Sequence, residues 1–273
     1  MKRIDKDNKI FNSEEYLKDK YMFYIIEKNF PSPDLMLYSD EDNYVICRGK
    51  EGLPTWIWTK DNIEKDKVLE IEKLLQNYLT DNEIDRFTCK KELYDYLKDD
   101  FPYINKDSYF EMGFLTCEKL KNPRNVSGKM DIPRDDEKDL LTEYLYLFHK
   151  EINDGDPISY EEAKELIGEK YKDNSLRVWR DSRDKIVCMA SFNIIDNMVS
   201  LGSAYVPEEE RNKGYAANLV HDLTGYLLDK GLVPLLYTDY NYPPSNTSYK
   251  NAGYEEKGVL VNFTCSKVKK LNR

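Results

Sequence analysis

Arg211-Asn212-Lys213-Gly214-Tyr215-Ala216 is the stretch of this 273-residue chain whose residue types could hold an anion. Gly214 lets the backbone approach a ligand with no Cβ in the way, and Ala216 keeps the following position small. Arg211 and Lys213 add positive charge. Further along stands Ser245-Asn246-Thr247-Ser248-Tyr249-Lys250-Asn251-Ala252-Gly253-Tyr254, which reads as a short helix entering a strand through Gly253.

Both stretches need elements to position them. Val199 to Val206 is apolar and extended, and Pro207 closes it. Ala216, Leu219, Val220, Leu223 and Leu227 then recur at the spacing of one buried helix face. The order is strand, glycine-bearing turn, helix. Backbone N–H groups at such a helix start have no partner within the helix and can hold a phosphate. The pattern therefore predicts a site for a phosphate-bearing cofactor.

The rest of the chain alternates in the same way. Ser13 caps a helix to about Lys28, and Asp61 with Glu64 has the spacing of a capping box before a helix bearing Val68, Ile71, Leu75 and Tyr78. Ser159 and Glu162 repeat that signature before a helix to about Tyr171. Asp196-Asn197 reads as a tight hairpin turn between two strands. The runs Thr55 to Cys117 and Met198 to Thr264 both order as strand, long helix, short strand, short helix, strand, which suggests an internal duplication. The first run has Lys60-Asp61-Asn62-Ile63-Glu64 where the second has its glycine turn. Two carboxylates there argue against an anion. The turn-like segment Lys119 to Asn125 marks the expected division into residues 1–125 and 126–273, each an α/β unit with a mixed sheet.

Composition excludes several classes. The five cysteines are dispersed without a CxxC, and there are only two histidines, His149 and His221. Reduced, buried thiols and no metal centre are the expectation, with no chemical role for His221. A net charge of −10 with basic residues interleaved among acids gives no nucleic-acid face. The same charge favours cationic partners at long range and also serves solubility. No apolar run approaches a membrane span, and Met1 to Asp7 carries charges with no apolar core behind them. A cytoplasmic location follows as the expectation.

The residues singled out above resemble the GNAT superfamily of acyl-CoA-dependent N-acyltransferases. Its pyrophosphate loop, Gln/Arg-x-x-Gly-x-Gly/Ala, matches Arg211, Gly214 and Ala216 after a Val206-Pro207 strand exit. A second signature, Asn-x-x-Tyr-x-x-x-Gly-Tyr/Phe, matches Asn246, Tyr249, Gly253 and Tyr254. The resemblance covers about residues 128–264, and the first half looks like a degenerate copy without the loop. It implies that backbone N–H groups of Arg211, Asn212, Lys213, Gly214, Tyr215 and Ala216 cradle the pyrophosphate of acetyl-CoA. It also implies that the strand edge at Ala204, Tyr205 and Val206 pairs with the pantetheine arm, and that a bulge at Gly202 splays the strands. Asn246 would bond the pantetheine. Tyr249 would lie at the sulfur and act as general acid, a phenol of pKa about 10 being suited to protonate a thiolate.

The implied reaction is N-acetylation of an amine of a small molecule or peptide by a monomer or homodimer. The general base stays open: Val199 to Val206 holds no carboxylate, and Asp239, Glu208 to Glu210, or no base at all are the options. A non-catalytic acyl-CoA sensor is the alternative. A dinucleotide enzyme fits less well, because a single glycine stands in the turn.

Overall fold

The computed structural model describes residues 2–79, 84–121, 126–152 and 158–267. Residues 122–125 of the expected linker lie outside them. Contacts divide the chain into two compact units, one of residues 1–114, 238–241 and 257–273, the other of residues 115–237 and 242–256. This division does not fall at 125/126, and it is not a single cut. The chain's last strand pairs within the first unit, a partnership between segments remote in sequence that no local signal announces.

The first unit contains β1 (Lys2–Arg3), α1 (Glu14–Asp19), α2 (Tyr24–Lys28), β2 (Met36–Ser39), β3 (Tyr44–Arg48), β4 (Thr55–Thr59), α3 (Lys65–Tyr78), β5 (Asp85–Lys90), α4 (Lys91–Asp100) and most of β6 (Ile104–Thr116). The second contains β7 (Lys129–Asp131), α5 (Lys138–Ile152), α6 (Tyr160–Lys172), β8 (Leu176–Arg180), β9 (Ile186–Ile195), β10 (Met198–Tyr205), α7 (Tyr215–Leu228), most of β11 (Val233–Asp239) and α8 (Pro243–Ala252). The last strand, β12 (Glu255–Cys265), runs antiparallel to β5 in the first unit, with Leu260 opposite Lys90. Fold class is mixed α/β, as expected. The two runs β1 to β6 and β7 to β12 have the same order of ten strands and helices, so the likeness extends upstream of the five elements visible in the sequence.

Strands of the second unit neighbour one another in the order β11–β10–β9–β8–β7. β10 and β11 are parallel, whereas β9 and β10 form a hairpin turned at Asp196, which takes a left-handed φ of 54°. Each sheet face has its own core. Leu219, Val220, Leu223 and Leu227 of α7 pack with Cys188, Ala190, Val199 and Leu201. Leu141 and Tyr144 of α5 and Ile167 of α6 pack with Val178, Met189 and Tyr205.

Local signals held where the partners are local. Ser159 and Glu162 make the reciprocal cap, the Glu162 N–H donating to Oγ of Ser159 at 3.2 Å and the Ser159 N–H to the Glu162 carboxylate at 2.7 Å. The helix expected from Ser13 to Lys28 is instead two short ones. Asp19 turns inward to accept from Nε1 of Trp58 at 2.9 Å, and Phe23 is buried against Trp56. The capping box at Asp61 does not form. Glu64 is the N-cap without a side-chain bond, and Asp61 pairs with Lys18 and Lys90.

Candidate active site

The strand that leads into the glycine turn carries a fault that reorients everything after it. Gly202 lies opposite Ser191 but Tyr205 lies opposite Met189, so β10 has one residue more than its partner between them. The bulge falls beside Gly202 rather than on it, with Ser203 in the left-handed region at φ 48°. One extra residue exchanges the faces of a strand. Val199 and Leu201 face α7, but after the bulge Ala204 and Val206 take that face and Tyr205 turns to the α5 side, its ring 5.4 Å from Tyr144. On the other edge, the parallel register of β10 with β11 ends at Ser200 opposite Leu235. The strand edge beyond Ser200 is thus released from β11, next to the turn.

Gly214 is the N-cap of α7 with φ 85° and ψ 4°, a conformation that disfavours any residue with a Cβ. A Cβ there would lie 3.1 Å from Cγ2 of Val126. Asn212 is also left-handed, at φ 62°. Asn218, buried in the second turn, donates its side-chain amide to the Gly214 carbonyl at 2.9 Å and steadies the cap. The N–H groups of Tyr215, Ala216 and Ala217 precede the first bond of the helix, from the Asn218 N–H to the Gly214 carbonyl. The backbone therefore presents a set of N–H donors at a positive helix end.

The cations beside it are engaged by carboxylates. Arg211 donates Nε to the Val206 carbonyl at 3.0 Å and meets Glu151 of α5 at 2.6 Å, its guanidinium 5.9 Å from the Tyr205 ring centroid. Lys213 and Lys185 both bind the buried Glu210 at 2.8 Å. Their hydrogen bonds hold the Glu210 carboxyl below its ordinary value, so it is a poor proton acceptor near neutrality. Glu208 and Glu209 are exposed in the 3₁₀ turn Glu208–Glu210, and Asp239 accepts the Asn241 N–H at 2.8 Å.

Tyr249 and Asn246 lie half-buried on α8. Burial pushes the Tyr249 phenol up to about 12, with Cys188 of β9 adding to it. Its ring meets that of Tyr254 edge-on at 5.9 Å, and Tyr254 is fixed by a 2.6 Å hydrogen bond with Thr224. Gly253 closes α8 at φ 111°, where a Cβ would lie 2.5 Å from the Lys119 carbonyl oxygen. His221 bridges structure: Nε2 lies 2.9 Å from the Lys121 carbonyl oxygen and Nδ1 lies 3.1 Å from Asp222. All five cysteines are free and buried. Glu151 and the influence of Cys188 on Tyr249 escaped sequence reasoning, because each reaches the loop or Tyr249 from an element with no motif.

A family model described as the acetyltransferase (GNAT) family matches residues 139–254. These residues form a GNAT acetyltransferase domain. The GNAT domain holds both the glycine turn and the Asn246-to-Tyr254 signature. The family's reaction is acyl-CoA-dependent acyl transfer, with acetyl-CoA or another acyl-CoA as donor and small molecules or peptides as acceptors. No curated protein matches the chain.

Among solved structures, a GNAT-family acetyltransferase from Colwellia psychrerythraea is similar with a TM-score of 0.59 at 14% identity, over 97% of this chain and 99% of that one. A GCN5-related N-acetyltransferase from Kribbella flavida is similar with a TM-score of 0.59 at 11% identity, over 95% and 98% of the two chains. Another from Sphaerobacter thermophilus has a TM-score of 0.58 at 13% identity, over 83% and 81%. At these identities the likeness is one of fold. No helix among the described residues is long and apolar enough to cross a membrane.

Proposed function

We propose that the GNAT domain moves an acetyl group from acetyl-CoA to an amine of a small molecule or peptide by direct attack on the thioester, and that the first unit is a copy of the fold without a working donor loop. The observation that carries this reading is the left-handed Gly214 opening α7 beside a strand edge released from its neighbour. The donor supplies an acyl group activated as a thioester. Backbone N–H groups between Arg211 and Ala216 hold its pyrophosphate, as helix starts hold phosphates generally. The edge at Ala204, Tyr205 and Val206 pairs with the pantetheine arm, and Asn246 bonds to it. Tyr249 donates its hydroxyl proton toward the leaving sulfur.

β10 carries no carboxylate, and Glu210, held ionised between two lysines, is a poor base. The amine proton is then taken by Asp239, by Glu208 or Glu209, or passes to water with no protein base at all. Calorimetry with acetyl-CoA tests the donor. Saturable binding is expected, and no heat at millimolar ligand would sink the reading. Release of free CoA is then measured across a panel of primary amines and peptides. A protein that binds acetyl-CoA yet releases CoA with none of them is the acyl-CoA sensor.

A further inference from the structure

Glu151 stands on the last turn of α5, and its carboxylate oxygen is 2.6 Å from Nη2 of Arg211. Arg211 is the residue that opens the donor loop, three positions before the left-handed cap of α7. A carboxylate so close to a loop built to receive a phosphate opposes that phosphate at long range and occupies the loop's own cation at short range. The other loop cation is differently placed. Lys213 shares Glu210 with Lys185, and that carboxylate's side chain is only 8% exposed. The Arg211–Glu151 pair has side chains 38% and 48% exposed. A pair so solvated exchanges partners at little cost.

The rest of the site leaves Arg211 room for one exchange. Nε is committed to the Val206 carbonyl and anchors the side chain at the strand exit. The ring of Tyr205, turned to this side by the bulge, lies under the guanidinium. Nη2 is the arm that reaches Glu151. The guanidinium is a rigid planar fork, so it turns from α5 toward the start of α7 as a whole, and the short lever from the strand exit keeps it beside the loop.

We infer that Glu151 is the counter-ion which Arg211 gives up when the donor's pyrophosphate binds, so that this one carboxylate on α5 sets donor affinity. The inference rests on the acyl-CoA reading. It makes Glu151 a positioning residue that acts through Arg211, and it ties the end of α5 to the state of the donor loop. Before the donor arrives, the pair holds α5 to the loop. Afterwards Glu151 is a free carboxylate on the α5 side of the sheet, beside Tyr205.

The test is calorimetry with CoA on the full chain at low ionic strength, for the wild type, Glu151→Gln and Arg211→Met, with thermal midpoints recorded for each. Glu151→Gln should bind CoA roughly two- to five-fold more tightly, the range set by solvated ion pairs. Arg211→Met should bind roughly five- to ten-fold more weakly, as expected for loss of a partly exposed charge-assisted partner. The gain in Glu151→Gln should shrink as salt is raised. A Glu151→Gln protein of unchanged thermal midpoint that binds CoA no more tightly than wild type overturns the inference. So does an Arg211→Met protein that binds CoA as well as wild type. If the wild type itself binds no CoA, the acyl-CoA reading fails first and takes this one with it.

Discussion

Tyr249 shows how much an environment changes the meaning of a residue. Read as a free phenol, it is a proton donor matched to a thiolate. In the structure, burial pushes it up to about 12, well above an ordinary thiol near 8.5. Complete transfer to an ordinary thiolate would be uphill, so the match requires that the leaving sulfur share the same dry surroundings and become more basic with it. The sign is definite in one respect: the phenol stays protonated across the neutral range and ionises only near 12. We therefore expect Tyr249→Phe to lower kcat about 100-fold, within the span typical of a general acid, with CoA affinity within about two-fold. The wild-type kcat profile should show no alkaline fall from this group up to about pH 10. An unchanged kcat in the variant would remove Tyr249 from the mechanism. The residue's position was legible from its spacing to Gly253, but its acidity was not, because Cys188 and the apolar wall come from β9 and α7.

At the scale of elements, the glycines divide by what surrounds them. Gly253 ends α8 with φ 111°, and a Cβ there would meet the Lys119 carbonyl oxygen at 2.5 Å and the Lys121 nitrogen at 3.0 Å, both backbone atoms that cannot step aside. Gly231 also has a positive φ, 72°, but nothing lies within 4 Å of its would-be Cβ. Gly253→Ala should cost on the order of 2–4 kcal/mol from strain plus clash, and Gly231→Ala only about 1 kcal/mol. Thermal unfolding of the two variants measures the difference, and equal midpoints would show that the close approach to Lys119 carries no weight. The glycine was legible as a motif position. The backbone it meets lies more than a hundred residues earlier in the chain, beyond any local pattern. The same holds for the split first helix and the missing cap at Asp61, whose deciding partners are Trp58 and Lys90. Ser159 was legible because its partner Glu162 is three residues away.

At the scale of the whole molecule, the repeated order of elements raises the question of how many donors one chain can hold. The first unit has its own parallel pair, β4 with β5, and its own turn before a helix. Asn62 is left-handed at φ 55°, as Asn212 is at φ 62°, each three residues before the helix begins. Glu64 then occupies the N-cap in an extended conformation where the second unit has Gly214. Beside it Asp61 is held to about 2 by Lys18 and Lys90, so it is ionised at any working pH. Lys90 is itself buried, paired with Asp19, and lies 5.9 Å from the Trp58 ring centroid. Where one turn offers amides to a phosphate, the other offers two carboxylates and a closed ion network. The acids of that turn were legible in the sequence. The network that fixes Asp61 was not, since α1, β4 and β5 supply its members from distant positions. The physical contrast predicts one donor per chain. Calorimetric titration of the full chain with acetyl-CoA should give a stoichiometry of one, and Gly214→Glu, which copies the first unit's residue into the second, should abolish binding. A stoichiometry of two would place a donor in each unit and overturn the prediction, and a single site that survives Gly214→Glu would place the donor in the first unit and reverse the assignment of the two copies.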